Sequence, residues 1–391
     1  MHALSFHMPT KILFGKGTVL QLVPELQRNG IDRVLLLTGG KSIYTSGLYE
    51  TLTALLAEAG IAFETVSKVQ PNPRVAKVRK AIAVCKSARI QAIIPVGGGS
   101  VFDSAKAIAL GAPSNSDIWD IATKKADYPT VALPIYGILT LSGTSSEVNS
   151  TAVITNEAES QKRSIHSDLL CPKVAIIDPT LQYSVPLPQI RHCGVDALSH
   201  ILEPYLSGLE TSEIIAEHCE SYARAIIRCL CAMPEAQMHY DTRAELAFCS
   251  TFAHSGWASL GRAGRGDFAS HRIGHALSGL FDTPHGVTLG IIMPAWMQYI
   301  YNQGHNKDAL ARFATQILGI TQAPDNDFAL AGVHGFKEFI RSQSMPVSMR
   351  EIGITERDIP ALIENACQSL PFGAVIPMNE QHICEVLKLA L

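Results

Sequence analysis

The sequence predicts two domains, an α/β domain built on a parallel sheet and an all-helical domain that follows it. The chain has 391 residues, which is long for a single hydrophobic core. Short apolar segments alternate with helical patterns up to Pro179, an arrangement typical of a parallel sheet covered by helices on both faces. From about Asp196 the apolar residues recur with helical spacing almost to Leu391. We therefore expect domains at residues 1–185 and 186–391.

The strands of the predicted sheet are short apolar runs. In chain order they are residues 4–14, 33–40, 62–67, 92–100, 130–135 and 173–178. Helical patterns follow several of them, for example at residues 75–88 and 101–110. Ligands of such sheets bind beyond the carboxyl ends of the strands. A cleft between the two domains is the expected location of an active site.

Composition and charge limit the possible functions of the protein and its possible cellular compartment. Hydrophobic residues make up 47% of the chain and charged residues 17%, which excludes a disordered protein. The net charge of −3, without clustered Lys or Arg, argues against nucleic acid as a partner. No secretory signal and no membrane-spanning apolar run is visible. The nine scattered cysteines indicate reduced thiols, so we expect a cytoplasmic protein.

Two pairs of potential metal ligands are spaced four residues apart on predicted helices. Asp196 and His200 form one pair, and His271 and His275 form the other. Residues four apart lie on the same face of a helix, one turn above each other. Each pair can therefore present two side chains to one point.

A third segment can add another imidazole to this point. The helix that carries His271 is expected to end at a Gly279/Pro284 break, about 12 Å further along its axis. The chain that follows can return about 20 Å, enough to bring His285 beside His271. One carboxylate and three imidazoles are a typical set for a borderline divalent metal. Spacing alone leaves open the alternative that these are ordinary core or surface histidines, since the chain has 14 of them.

A glycine-rich loop stands between a predicted strand and the helix behind it. Gly97, Gly98, Gly99 and Ser100 would let the backbone approach a pyrophosphate at the N-terminus of that helix. An ordinary tight turn is the alternative interpretation. Asp103 also has two interpretations, because its spacing from Ser100 is that of a helix capping box.

The loop after residues 130–135 is rich in side chains that carry hydroxyl groups. They can donate to a phosphate or a ribose, or can satisfy their own backbone, which is the commoner role of such loops. The side chains concerned are Thr140, Ser142, Thr144, Ser145 and Ser146.

The turn after the second predicted strand bears on the choice between NAD and NADP. An enzyme that uses NAD usually places an acidic side chain on the adenosine ribose. Here the strand leads into Gly39, Gly40, Lys41 and Ser42, with no acid before Glu50. Backbone N–H groups, a hydroxyl and a lysine suit a 2′-phosphate. A solvated Lys41 without a ligand is the alternative.

Together these motifs resemble the iron-containing (group III) alcohol dehydrogenase family, nearly from end to end. The segments that carry the resemblance are KILFGKG, PNP, GGGSVFDSAK, GTSSEVN, GVDALSH, HRIGHALSGLFDTPHG and IIMP. The pattern is most similar to the NADPH-dependent aldehyde reductase and butanol dehydrogenase branch. The resemblance implies a Rossmann-like N-terminal domain, a helical C-terminal domain that holds Fe²⁺ or Zn²⁺, a dehydroquinate synthase-like architecture and a homodimer.

The family pattern also assigns residues. Its metal ligands fall on Asp196, His200, His271 and His285, and its additional active-site histidine falls on His275. Its cofactor-binding positions are Gly39, Gly40, Ser42, Asn72, Gly97, Gly98, Gly99, Ser100, Asp103, Thr140, Thr144, Asn149, Lys162 and Tyr183. The chain departs from the pattern at Ser145, where a glycine is common. The contact of Lys41 with a phosphate is our own inference and not part of the pattern.

We therefore predict a metal-dependent oxidoreductase that transfers hydride between NADP(H) and a primary alcohol or aldehyde. The metal would polarise the substrate oxygen, and the cofactor would exchange the hydride. His275 is expected to relay a proton, hold substrate or support the metal site, and Asp103 to contact substrate or the nicotinamide ribose. One alternative is an NAD-dependent dehydrogenase of diols such as glycerol or propanediol. A metal-dependent hydrolase and a non-catalytic dinucleotide sensor are alternatives from other classes.

Overall fold

The computed structural model describes residues 2–208, 212–262 and 264–391. They group into two compact units. The α/β unit contains His7–Pro186 and Ala236–Thr251. The helical unit contains the described residues within Met1–Phe6, Leu187–Glu235 and Phe252–Leu391.

The α/β unit is built on a six-stranded sheet in which every neighbouring pair of strands is parallel. The strand order is β1-β8-β5-β4-β2-β3. The strands are β1 (Lys11–Phe14), β2 (Arg33–Thr38), β3 (Ala62–Val66), β4 (Ala92–Gly97), β5 (Tyr136–Leu139) and β8 (Val174–Ile177). A separate antiparallel pair consists of β6 (Thr151–Asn156) and β7 (Gln161–His166).

Both faces of the sheet are buried, which explains why its strands are continuous apolar runs. Along β2, Leu35 and Leu37 pack into the hydrophobic cluster on one face. Val34 and Leu36, which alternate with them, pack into the cluster on the other face. The predicted fold class, a parallel α/β domain followed by a helical domain, is confirmed.

Helices cover the sheet and build the helical unit. The first six are α1 (Leu22–Arg28), α2 (Ser42–Thr45), α3 (Leu48–Glu58), α4 (Val75–Ser87), α5 (Gly99–Gly111) and α6 (Ile118–Ala122). The rest are α7 (Leu187–Tyr205), α8 (Glu213–Ala236), α9 (Tyr240–Ala253), α10 (Ala269–Phe281), α11 (His285–Asn302), α12 (Lys307–Arg312), α13 (Phe328–Ser342), α14 (Ile359–Cys367) and α15 (Glu380–Leu389). Among the described residues, none of these helices is both long and apolar enough to cross a bilayer.

Two parts of the α/β unit differ from the sequence prediction. The strand expected at residues 130–135 is wrong: β5 lies immediately after it, and only Ile135 forms an isolated bridge to the sheet. Pro134 has no N–H to donate to a neighbouring strand, which explains the shift. The hairpin of β6 and β7 was not predicted: β6 contains only the short apolar run 152–154, and β7 contains a single apolar residue, Ile165.

Candidate active site

Helix α7 carries the first two side chains of the candidate metal centre. Asp196 and His200 lie one turn apart on the buried face of this helix. The Nδ1 atom of His200 lies 3.6 Å from Oδ1 of Asp196. The four-residue spacing thus gives the predicted shared face.

Helix α10 contributes His271, whose Nε2 atom lies 3.9 Å from Oδ1 of Asp196. The predicted end of this helix at Gly279 is wrong, because α10 continues to Phe281. A glycine inside a helix costs about 1 kcal/mol but does not terminate it. The helix ends where Asp282 adopts a left-handed conformation with φ 52°.

His285 is not part of a returning loop, contrary to the prediction. It is the first residue of helix α11, directly after the N-cap residue Pro284. Its Nε2 atom lies 3.7 Å from Oδ1 of Asp196. Three helices, rather than two helices and a loop, therefore bring the four side chains together.

The chemistry of these groups fits a divalent metal. The ligand atoms of Asp196, His200 and His271 lie within 4.8 Å of one another, and all three residues are buried. Nδ1 of His200 and Nε2 of His271 are buried with no hydrogen-bond partner among the described residues. Burial holds the pKa of His200 well below its usual value, so its imidazole is neutral, as metal binding requires. An unsatisfied pair of buried nitrogens beside a carboxylate is the environment that a cation would complete.

Three more aromatic rings surround this cluster. The ring centroid of His275 lies 5.2 Å from that of His285. Sequence reasoning missed His254, whose ring centroid lies 4.3 Å from that of His200, and Phe268, at 5.3 Å from His271. No spacing relates His254 to the ligand pairs, so the sequence offers no signal for it.

A buried carboxylate was also missed. Glu203 lies on α7 and accepts a hydrogen bond at 2.8 Å from Nδ1 of His271. Its spacing of three residues from His200 continues the face that begins at Asp196, and this pattern was a signal available in the sequence.

The predicted cofactor residues lie at or near the carboxyl ends of β2, β4, β5 and β8, where a ligand of a parallel sheet is expected. Asn72 and Lys162 come from other segments, and they are joined by a hydrogen bond of 3.0 Å from Nζ of Lys162 to Oδ1 of Asn72. Asn72 is buried and has a φ of 53°.

The glycines of the loop after β4 pack closely against neighbouring side chains of the α/β unit. A Cβ atom on Gly97 would lie 2.4 Å from Cγ2 of Val101, and one on Gly99 would lie 2.5 Å from Oγ1 of Thr144. Side chains larger than that of glycine are thus excluded from these two positions by packing. This contact also links the glycine loop to the hydroxyl-rich loop after β5.

Asp103 does not form a capping box with Ser100, the alternative that their spacing left open. The N-cap residue of α5 is Gly98, and no side chain caps this helix. Asp103 instead accepts hydrogen bonds from Oγ of Ser146 at 2.6 Å and from the backbone N–H of Val153 at 3.0 Å. Burial raises the pKa of this carboxyl. Its predicted contact with substrate or nicotinamide ribose stays a prediction.

The remaining loop residues are held by hydrogen bonds within the α/β unit. Asn149 accepts from Nζ of Lys106 at 2.7 Å and donates to the carbonyl of Thr144 at 3.2 Å. Ser145, where the family pattern has glycine, adopts a φ of 53° and donates to the carbonyl of Ser250 at 2.6 Å. The serine is thus accommodated in a left-handed conformation, with its hydroxyl satisfied.

A buried Asp/His cluster in a helical unit and glycine loops at the ends of a parallel sheet define a metal- and dinucleotide-dependent enzyme. The iron-containing alcohol dehydrogenase family model matches residues 9–179, and the model of the C-terminal part of that family matches residues 191–391. The chain belongs to the iron-containing alcohol dehydrogenase family. It is an NAD(P)-dependent alcohol dehydrogenase.

Individual proteins that are similar to the chain include butanol dehydrogenases and an aldehyde reductase. The chain is 35% identical over 393 residues, covering all of both proteins, to the probable NADH-dependent butanol dehydrogenase 1 of Bacillus subtilis (strain 168). It is 30% identical to the NADPH-dependent aldehyde reductase YqhD of Escherichia coli (strain K12), over 93% of this chain and 92% of that protein. The crystal structure of NADH-dependent butanol dehydrogenase A from Thermotoga maritima superposes with a TM-score of 0.95 at 40% identity, over 100% and 99% of the two chains.

Proposed function

We propose that this protein interconverts primary alcohols and aldehydes with NADP(H), using Fe²⁺ or Zn²⁺ held by Asp196, His200, His271 and His285. The observation that carries the proposal is the pair of buried imidazole nitrogens, without hydrogen-bond partners among the described residues, that face Asp196. A set of one carboxylate and three imidazoles suits either metal. When bound, the metal supplies Lewis acidity at the substrate oxygen, and the nicotinamide exchanges the hydride.

The side chains around the metal centre would hold and orient the substrate. Asp196 supplies a single negative charge, so the loaded centre stays net positive and favours an oxygen that gains charge during reduction. His275 lies beside His285 and is half-buried, which suits a proton relay or a hydrogen bond to the substrate. Phe268 offers an aromatic surface next to His271, as an apolar substrate chain requires.

The choice of NADP(H) rests on the turn that follows β2. Gly39 and Gly40 lead into the exposed Lys41, and Ser42 begins the short helix α2. Among the described residues, no acid follows β2 before Glu50, so the usual carboxylate for the ribose 2′-hydroxyl is absent from this turn. A lysine and backbone N–H groups would instead receive a 2′-phosphate.

NAD(H) is the competing cofactor, because two of the relatives described above are named as NADH-dependent. Initial rates of butyraldehyde reduction with NADPH and with NADH separate the two. We expect the wild-type enzyme to prefer NADPH. The preference should fall by about 10-fold in Lys41→Ala, because the variant loses about one charge-assisted hydrogen bond to the 2′-phosphate. Lys80→Ala, an exposed lysine on α4, is the matched control. A strong NADH preference in the wild-type enzyme would overturn this part of the proposal, and a panel including glycerol and propanediol tests the diol alternative.

We further propose a cytoplasmic homodimer whose ligands are small alcohols and aldehydes, with no nucleic-acid or membrane partner. The nine cysteines, all of which are free thiols in the structure, support a reducing compartment. Light scattering of the purified protein tests the dimer; the mass of a monomer would contradict it.

A further inference from the structure

We infer that Glu203 is a positioning residue of the metal centre, which orients His271 and fixes which of its two ring nitrogens faces the metal. This inference rests on the metal centre proposed above. It assigns a function to a carboxylate that lies outside the predicted ligand set and has a relative exposure of 0%.

The side-chain oxygens of Glu203 accept hydrogen bonds from residues at the start of α10. Its Oε1 accepts from Nδ1 of His271 at 2.8 Å and from the backbone N–H of the same residue at 3.3 Å. The hydroxyl of Ser270 donates to this oxygen as well. Its Oε2 accepts from the backbone N–H of Phe268 at 2.7 Å. One side chain of α7 thus fixes both the first turn of α10 and the ring of His271.

This contact sets the tautomer of His271. Both oxygens of Glu203 already accept from backbone N–H groups of His271 and Phe268, so the side chain acts as an acceptor and Nδ1 of His271 carries the proton. The lone pair then resides on Nε2, the atom that faces Oδ1 of Asp196 and has no hydrogen-bond partner among the described residues. A carboxylate behind a ligating histidine also fixes the orientation of the ring.

Helix capping alone does not account for the arrangement. A cap would need only the backbone N–H groups of α10, which carry the positive end of the helix dipole. Glu203 additionally reaches the imidazole, and this 2.8 Å bond is shorter than its 3.3 Å bond to the backbone N–H of the same histidine. Phe268 has a φ of 53°, a costly conformation that the bond to Glu203 helps to retain.

The test is Glu203→Gln, with Glu220→Gln as a matched control. Glu220 is also a buried carboxylate of the helical unit, and it accepts from Tyr205 and Arg312 instead of a predicted ligand. Zn²⁺ affinity is measured by competition with a chelator, and the visible spectrum is recorded after Co²⁺ substitution. We expect Glu203→Gln to weaken Zn²⁺ binding by about 10- to 100-fold and to change the Co²⁺ spectrum. Glu220→Gln should leave both unchanged, whatever its effect on stability.

The outcomes separate this inference from the proposed function. Wild-type protein that binds no stoichiometric Zn²⁺, or a His271→Ala variant that binds it equally well, would overturn the metal centre itself. Tight wild-type binding that Glu203→Gln leaves unaltered, with an unchanged Co²⁺ spectrum, would overturn the role of Glu203 alone.

A measurement on the wild-type protein covers the case in which Glu203→Gln does not fold. The Zn²⁺-loaded protein is labelled with ¹⁵N-histidine, and the protonation of each His271 ring nitrogen is read by NMR. We expect a protonated Nδ1 with a slowly exchanging hydrogen and a metal-bound Nε2. The opposite arrangement, with Nε2 protonated, would overturn the inference.

Discussion

Gly286 lies directly against the backbone of His192. A Cβ atom at Gly286 would be 2.0 Å from the carbonyl oxygen of His192 and 2.5 Å from its carbonyl carbon. Gly286 is the second residue of α11, and His192 belongs to α7. The missing side chain therefore lets α11 begin against α7, which places His285 beside Asp196.

Gly286→Ala should consequently displace the first turn of α11 and weaken metal binding. Backbone atoms cannot yield as a flexible side chain can, so we expect a loss of about 1–3 kcal/mol of stability and a fall in bound metal. Gly290→Ala is the control on the same helix, because its Cβ would lie 3.2 Å from Cγ2 of Ile340 and would come no closer than 3.5 Å to a backbone atom, the carbonyl oxygen of Pro346. Metal content and urea unfolding of both variants check this. Full metal retention in Gly286→Ala would contradict it.

Lys106 should be needed to hold the loops of the predicted cofactor site in place, but it should not affect metal binding. This fully buried lysine donates to the carbonyls of Asn149 and Thr151, both at 2.8 Å, and to the side chain of Asn149 at 2.7 Å. Burial lowers its pKa to about 8, and the nearby Asp103 opposes this shift. Lys106→Met leaves these acceptors and Asp103 uncompensated, at a cost of about 3–5 kcal/mol.

We expect Lys106→Met to weaken NADPH binding, measured by fluorescence titration, while the metal content stays that of the wild type. Lys86→Met is the control, since this lysine is exposed and donates to the carbonyl of Ser114. Unchanged NADPH affinity in Lys106→Met would show that the loop after β5 does not contribute to the cofactor site.

The contribution of Asp267 to stability should be greater in mild acid than at neutral pH. Burial, with the neighbouring Glu203, raises its pKa from 3.8 to about 6. The folded state therefore holds the proton more tightly than the unfolded state, and this stabilisation is lost as the pH rises through about 6. The stability difference between wild type and Asp267→Asn should shrink by up to about 3 kcal/mol between about pH 4 and pH 7.

Urea unfolding of the metal-free proteins at several pH values measures this difference. Asp327→Asn is the control with the opposite sign, because hydrogen bonds from Tyr301 and from the backbone lower the pKa of Asp327. Its contribution to stability should be lost as the pH falls. A wild-type advantage over Asp267→Asn that grows with pH would contradict the assignment.

The cysteines should react with thiol reagents in an order set by their exposure. Cys231 is exposed, whereas Cys85, Cys219, Cys229 and Cys249 are buried. Burial raises the pKa of Cys85 to about 12 and that of Cys219 to about 11, which leaves almost no thiolate at neutral pH. Mass spectrometry after iodoacetamide treatment should find Cys231 modified first and the four buried thiols modified only after unfolding. Early modification of Cys85 would contradict the packing of the α/β unit.

The sequence predicts contacts within one helix better than contacts between helices. The pairing of Asp196 with His200 follows from their spacing alone, because helix geometry fixes it. The bond between Glu203 and His271 spans 68 residues and depends on how α7 packs against α10. Sequence spacing does not determine that packing, so Glu203 was missed although it lies on the predicted face.

The errors in the predicted elements have a similar origin. His285 was assigned to a loop because Gly279 and Pro284 are common at helix ends, yet the helix tolerates Gly279 and Pro284 precedes the next helix as its N-cap. The strand predicted before β5 shares its apolar character with β5 itself, and only the hydrogen-bond pairing distinguishes the two. The parallel sheet and the glycine loops could be predicted because apolar runs such as β2 and β4 lead directly into glycines. This pattern is visible within a few residues of sequence.

Metal analysis of the wild-type protein and His271→Ala, together with aldehyde-dependent oxidation of NADPH, tests the central claim most directly. We expect about one Fe²⁺ or Zn²⁺ per wild-type chain. His271→Ala should lose both the metal and the turnover. A His271→Ala variant that keeps full activity after treatment with a chelator would contradict the account.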